Sequence, residues 1–196
     1  MSQRSILALA LSTVLLALVV AFGVVPACSR EGTDDGNAAV VDTEIMAFLS
    51  EARALHHQAN LKEESGDVPG AVAAIERLVA AKRPHPERKA PEVEEVLADA
   101  YARLAELRLR RGELDPAASA VKNGLEHVAD ATYFRGHLIE VQGLVEEARA
   151  AQLTDAGKPE EASKARERAI ALLEEVVKIQ EQVIQGSLGD GGKDAR

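Results

Sequence analysis

Three glycines recur at a nearly fixed spacing: Gly66, Gly112 and Gly157 stand 46 and 45 residues apart. Around them the segments SGDVPGAVAAI (Ser65–Ile75), RGELDPAASAV (Arg111–Val121) and AGKPEEASKAR (Ala156–Arg166) align without a gap. Each glycine is followed five residues later by an alanine, at Ala71, Ala117 and Ala162. Glycine ends a helix in a left-handed conformation, and a proline or an acid starts the next one. The alanine allows two antiparallel helices to approach closely. A fixed period between about 20 and 50 residues marks a stacked repeat. The spacing therefore predicts about three helix–turn–helix units.

The segments between the turns carry helical periodicity. Thr43 opens a capped amphipathic stretch with Ile45, Phe48, Leu49, Ala52, Leu55 and Ala59 on one side. A second helix follows the first glycine, with Pro69 tolerated in its first turn and Ala71, Val72, Ile75 and Leu78 as its apolar side. Pro91 begins a third helix ending in RLRRG, where Arg108, Arg110 and Arg111 complement the carbonyl end before Gly112. The fifth takes its face from Phe134, Leu138, Val141 and Val145, and the sixth spans Pro159 to Gln185. Beyond residue 27 the only aromatics are Phe48, Tyr101, Tyr133 and Phe134, so alanine and leucine must fill the core. Closely packed helices suit that inventory, and no strand-like alternation appears. The expected fold class is all-α.

The turn segments resemble the tetratricopeptide (TPR) repeat family, whose helix–turn–helix unit has a Gly-Asp/Asn-x-x-x-Ala turn. The small residue of that family's first helix falls twelve positions before the alanine, at Ala59, Ala105 and Ala150. Its large residue four earlier matches Leu55 and Tyr101, whereas Glu146 departs from the pattern. The period here exceeds the 34 residues of the family, so the helices or linkers must be longer. The resemblance covers about residues 43–185 and implies a curved helical array that holds a peptide or helix of a partner protein. Gln58, Lys62, Tyr101 and Arg108 are the candidate partner-binding positions on the first helices. A generic six-helix bundle with glycine turns is the alternative.

The amino-terminal segment is of another kind. Ile6 to Val25 is almost wholly apolar behind a short stretch carrying Arg4, the order of an export signal. At about 20 residues it also has the length to span a bilayer uncleaved. Val25-Pro26-Ala27-Cys28 resembles the bacterial lipobox, which implies lipidation of Cys28 and cleavage before it. Cys28 is the single cysteine, so no intrachain disulfide is possible. Ser29 follows it where inner-membrane retention in that family uses Asp, which implies an outer-membrane address facing the periplasm. The expected organisation is a signal over residues 1–27, a flexible tether over 28–41, a helical repeat domain over 42–185 and a disordered tail over 186–196.

Residues 1–27 contain one base and no acid, which leaves 22 basic and 32 acidic side chains behind them. That balance excludes a phosphate-binding surface of the nucleic-acid kind. The five histidines include no i, i+4 pair, and no phosphate loop, nucleophile elbow or paired-carboxylate motif stands out. No enzyme, metal or cofactor is expected. The linker AAKRPHPERKAP (Ala80–Pro91) gathers four cations around three prolines, and reads either as a solvated loop or as a docking patch. In the last helix Ala162, Ala165, Ala169, Leu172, Val176, Ile179 and Val183 follow 3-4 spacing. That helix either caps the array or pairs with a copy of itself or a partner helix over residues 159–185. The functional expectation is a lipid-anchored envelope scaffold or adaptor that binds a protein partner, the alternative being a self-associating structural protein or a single-span anchored one.

Overall fold

The computed structural model describes residues 42–190, with side chains to residue 188. Cys28, the export segment, the tether and the last six residues lie outside the described residues. Among the described residues the chain is all-α: α1 (Thr43–Glu64), α2 (Val68–Val79), α3 (Pro91–Arg110), α4 (Leu114–Leu125), α5 (Tyr133–Asp155) and α6 (Pro159–Asp190). None of these helices is long and apolar enough to cross a membrane.

The glycine turns share one hydrogen-bond geometry. Gly66, Gly112 and Gly157 have φ of 80°, 74° and 70°. Each glycine N–H donates to the carbonyl three residues back: Gly66 to Glu63 (2.9 Å), Gly112 to Leu109 (2.9 Å) and Gly157 to Thr154 (3.0 Å). The next residue donates five back, Asp67 to Lys62 (2.8 Å), Glu113 to Arg108 (3.0 Å) and Lys158 to Leu153 (2.9 Å). This pair of bonds closes the carbonyls left open at a helix end, and it needs a residue that tolerates positive φ. Helix starts are also specified locally. The cap of α1 is Asp42, one residue before the expected Thr43, and its carboxylate accepts from the Ile45 N–H at 3.2 Å. Asp67 caps α2 through the Gly70 N–H at 2.9 Å, and Thr132 caps α5 through the Arg135 N–H at 3.2 Å.

Each helix packs on the next in sequence, and the first helices also meet one another, α1 with α3 and α3 with α5. Consequently α2 lies between α1 and α3, and α4 between α3 and α5. The core is built from Leu55, Ile75, Leu78, Leu97, Leu107 and Leu138 with valines between them, all buried. Alanines fill the closest approaches: Ala71, Ala117 and Ala162 after the turns are fully buried, as are Ala59, Ala105 and Ala150 in the first helices to within 1%. Gly124 takes this furthest, because a Cβ there would stand 2.5 Å from Leu138 Cδ2 and 2.9 Å from Tyr101 Cβ.

Among the described residues helix α6 packs only on α5. Its 3-4 row faces inward, with Ala162, Ala165, Ala169 and Ile179 buried and Leu172, Val176 and Val183 half-buried. That seam is therefore used within the chain. The helix also continues to Asp190, past the Gln185 end read from the sequence. An established helix adds one hydrogen bond per residue, and an exposed glycine costs it only about 1 kcal/mol.

Candidate interaction surface

The first helices place a row of ionisable side chains across three elements. In α3, Asp99, Arg103, Glu106 and Arg110 follow i, i+4, i+7, i+11 spacing and so share one face. Helix α1 contributes His56 and Glu63 to this row, and α5 contributes His137. Arg103 and Arg110 both bind the Glu63 carboxylate, tying α3 to α1. Arg103 also reaches Glu106 at 3.1 Å, and Glu106 accepts from His137 Nε2 at 3.2 Å, tying α3 to α5. Asp99 lies between the two imidazoles, 3.8 Å from His56 Nε2 and 4.0 Å from His137 Nδ1. Most of these side chains are a fifth to a quarter exposed, with Asp99 and Arg110 more open.

The electrostatics divide the two histidines. The hydrogen bond to Glu106 raises His137 above the ordinary 6.5, against the opposing effect of burial. The same bond holds Glu106 below the usual carboxylate range. Burial lowers His56, outweighing the attraction of Asp99. His137 Nδ1 is itself buried without a hydrogen-bond partner among the described residues. Carboxylates and cations nearly balance along the row, which makes it a mixed polar face and not an anion trap. Among the described residues no group of three His, Cys, Asp or Glu is placed to hold a metal ion.

A second cluster organises the basic linker. Glu94, at 6% exposure the one buried charged residue among those described, is bound by Arg83 and accepts from His127 Nδ1 at 2.7 Å. Burial, with Arg83 and Lys89 nearby, lowers His127. His85, at φ 46°, reaches Asp42 Oδ2 at 2.8 Å, and Arg88 binds the same oxygen at 2.6 Å. The linker is thus tied down at part of its length, while Lys82 and Lys89 stay exposed. Arg83, His85 and Arg88 fasten it to the start of α3 and to the cap of α1. The cleft at the α5–α6 turn is likewise compensated: Arg149 pairs with Asp115, Arg168 with Glu146 and Lys158 with Glu161.

The four partner-binding candidates do not converge on the polar row. Gln58 is exposed on α1. Lys62 is exposed there too, and its ammonium bonds Asp67 Oδ2 at 2.9 Å across the turn. Tyr101 is half-buried and stacks on His127, with ring centroids 5.6 Å apart and planes 20° from parallel. Arg108 donates to Glu76 at 2.8 Å and to the Pro116 carbonyl at 3.1 Å. Tyr101 and Arg108 stand seven residues apart and face the second helices, so both brace the packing. The residues that do line up, Asp99, Arg103 and Glu106, carry a visible sequence signal in their spacing. Their partners His56 and His137 come from 43 and 38 positions away in the chain and give no local signal.

No family model and no curated protein sequence matches the chain.

Proposed function

We propose that the chain is a cell-envelope scaffold or adaptor of the stacked-repeat, TPR-like kind, held on a membrane by lipid at Cys28. A partner peptide or helix docks along the face formed by α1, α3 and α5. One observation carries this reading: three glycine turns of one geometry accompany first helices that pack side by side, and these present a row of ionisable side chains running across α1, α3 and α5. Such a surface suits recognition through hydrogen bonds and exposed ion pairs, with helix packing supplying the rigidity. The export segment and lipobox-like Val25–Cys28 supply the anchoring part of the proposal.

A photo-crosslinking residue at Asp99, used in intact cells and followed by mass spectrometry, tests the docking face. The expected result is a defined partner captured at Asp99 and not at Arg77 on α2. Equal capture at both positions overturns the assignment. The anchor is tested separately with globomycin, which blocks lipoprotein signal cleavage. A larger precursor is expected with Cys28 present, and absence of one removes the lipid from the proposal.

A further inference from the structure

The hairpin grooves of this fold are filled in series until the last one. Helix α3 lies against both α1 and α2, and α5 lies against both α3 and α4. Among the described residues no helix lies against the corresponding side of α5 and α6. We propose that this open groove is the docking seat for an amphipathic helix of a partner protein.

The turn glycines put the three hairpins in register, which identifies the seat residue by residue. Leu144, Glu147 and Ala151 of α5 correspond to Asp99, Ala102 and Glu106 of α3, the side on which α5 packs. Arg166, Ala169 and Ile170 of α6 correspond to Val121, Gly124 and Leu125 of α4. At the Gly124 position the neighbouring helix inserts Leu138. The equivalent position in the open groove is Ala169, and the cleft is lined by Glu147, Ala151, Arg166, Ile170 and Leu173 around it. Ile170 and Val177 are each 57% exposed, Leu173 40% and Leu144 37%, and Ile184 continues the row. Exposed apolar side chains gathered in one row beside a cleft, with polar residues around them, mark an interaction site.

The interfaces already formed in the chain specify the occupant. Helix α3 offers Val93, Val96 and Ala100 toward the preceding hairpin, and α5 offers Leu138, Val141 and Val145 at the same positions, i, i+3, i+7. A helix with aliphatic residues at that spacing fits the third seat. A second copy joined end to end would present α1 instead, with Ala47, Ser50 and Ala54 at the equivalent positions. Those side chains are too small and polar to fill it, which argues against end-to-end growth. Around the seat, exposed Glu140 and Glu147 flank Leu144, and Glu174 and Glu181 follow Ile170 and Val177 by one turn, against Arg166 alone. The partner helix therefore carries cations beside its apolar stripe. On α5 this seat borders the polar first-helix face, with Leu144 and Ala151 standing where Asp99 and Glu106 stand on α3, but it does not depend on a partner docking along that face.

A labelled peptide of residues 91–110 carrying Glu92→Lys, Glu95→Lys and Asp99→Lys is a suitable probe, titrated into the full chain by fluorescence anisotropy. Saturable binding is expected. The pair Ile170→Glu and Val177→Glu should weaken it by about tenfold or more, since a charge replaces two apolar anchors. Ala171→Glu, on another side of α6, should leave it unchanged, with helical circular dichroism intact in all variants. Loss of affinity in high salt is expected from the acidic rim. No saturable binding, or binding indifferent to Ile170→Glu and Val177→Glu, overturns the proposal. A dimer of the full chain that these two substitutions convert to monomer assigns the seat to a second copy and overturns it as well.

Discussion

Gly124→Ala sets two ordinary effects of known sign against each other. The added methyl would stand 2.5 Å from Leu138 Cδ2, 3.1 Å from Leu138 Cδ1 and 2.9 Å from Tyr101 Cβ. Leu138 is fully buried, and Tyr101 Cβ is fixed to the backbone of α3, so neither yields cheaply. Replacing a helical glycine by alanine gains at most about 1 kcal/mol. Overpacking a close-packed interior costs about 1–3 kcal/mol. The expected balance is a loss of about 1 kcal/mol, worth ~2–4 °C in Tm for a chain of this size. Gly136→Ala supplies the contrast. Its nearest neighbour is Gln180 Nε2 at 2.8 Å, the free end of a flexible side chain, with Ile179 Cγ2 at 3.4 Å. That substitution should keep most of the helix gain and stabilise. Urea unfolding followed by circular dichroism compares the two, and Gly124→Ala with Leu138→Val should cost less than the sum of the single changes. If Gly124→Ala stabilises as Gly136→Ala does, α4 is not held at the close approach argued here.

Ala at Gly66, Gly112 or Gly157 meets open space but keeps a positive φ, so each should cost about 1–2 kcal/mol in the same assay, with Asn costing less. Asp42→Ala removes the α1 cap and the anchor of His85 and Arg88. It should cost about 1 kcal/mol and speed amide exchange in the first turn of α1 and in the 80–90 linker. Glu94→Ala should destabilise by about 1–3 kcal/mol, more than Arg83→Ala, because it strips the partner from both Arg83 and half-buried His127. NMR titration should find His137 protonating above 6.5 and His56 and His127 below it. His137 therefore adds stability that is full below 6.5 and lost as pH rises through its folded value, and Glu106 adds stability present above 4.5 and lost on further acidification. His56 and His127 act oppositely, subtracting stability as pH falls below 6.5, and His137→Gln should abolish the His137 part and reduce the Glu106 part, which rests first on the same bond, while leaving those of His56 and His127.

The features legible in the sequence are those decided within one helical turn. A glycine at the end of a periodic stretch closes two carbonyls because only its backbone adopts positive φ freely, and Gly66, Gly112 and Gly157 all do so. The interaction surfaces depend instead on which helices become neighbours. Tyr101 and Arg108 read as groove residues because they are large and sit on a first helix, yet the fold turns their side toward α2 and α4. Arg83 and Arg88 read as free charge because their neutralising carboxylates, Glu94 and Asp42, lie 11 and 46 residues away. Local charge is thus a poor guide to surface potential in a helical hairpin fold, since each helix carries the complement of another. Apolar surplus is a better guide. The buried seam of α6 accounts for Ala162, Ala165, Ala169 and Ile179, which leaves Ile170, Leu173, Val177 and Ile184 on a second stripe that α5 does not cover. Among the described residues α6 faces one neighbour, which needs one stripe, and the second stripe is the surface on which the proposed seat rests.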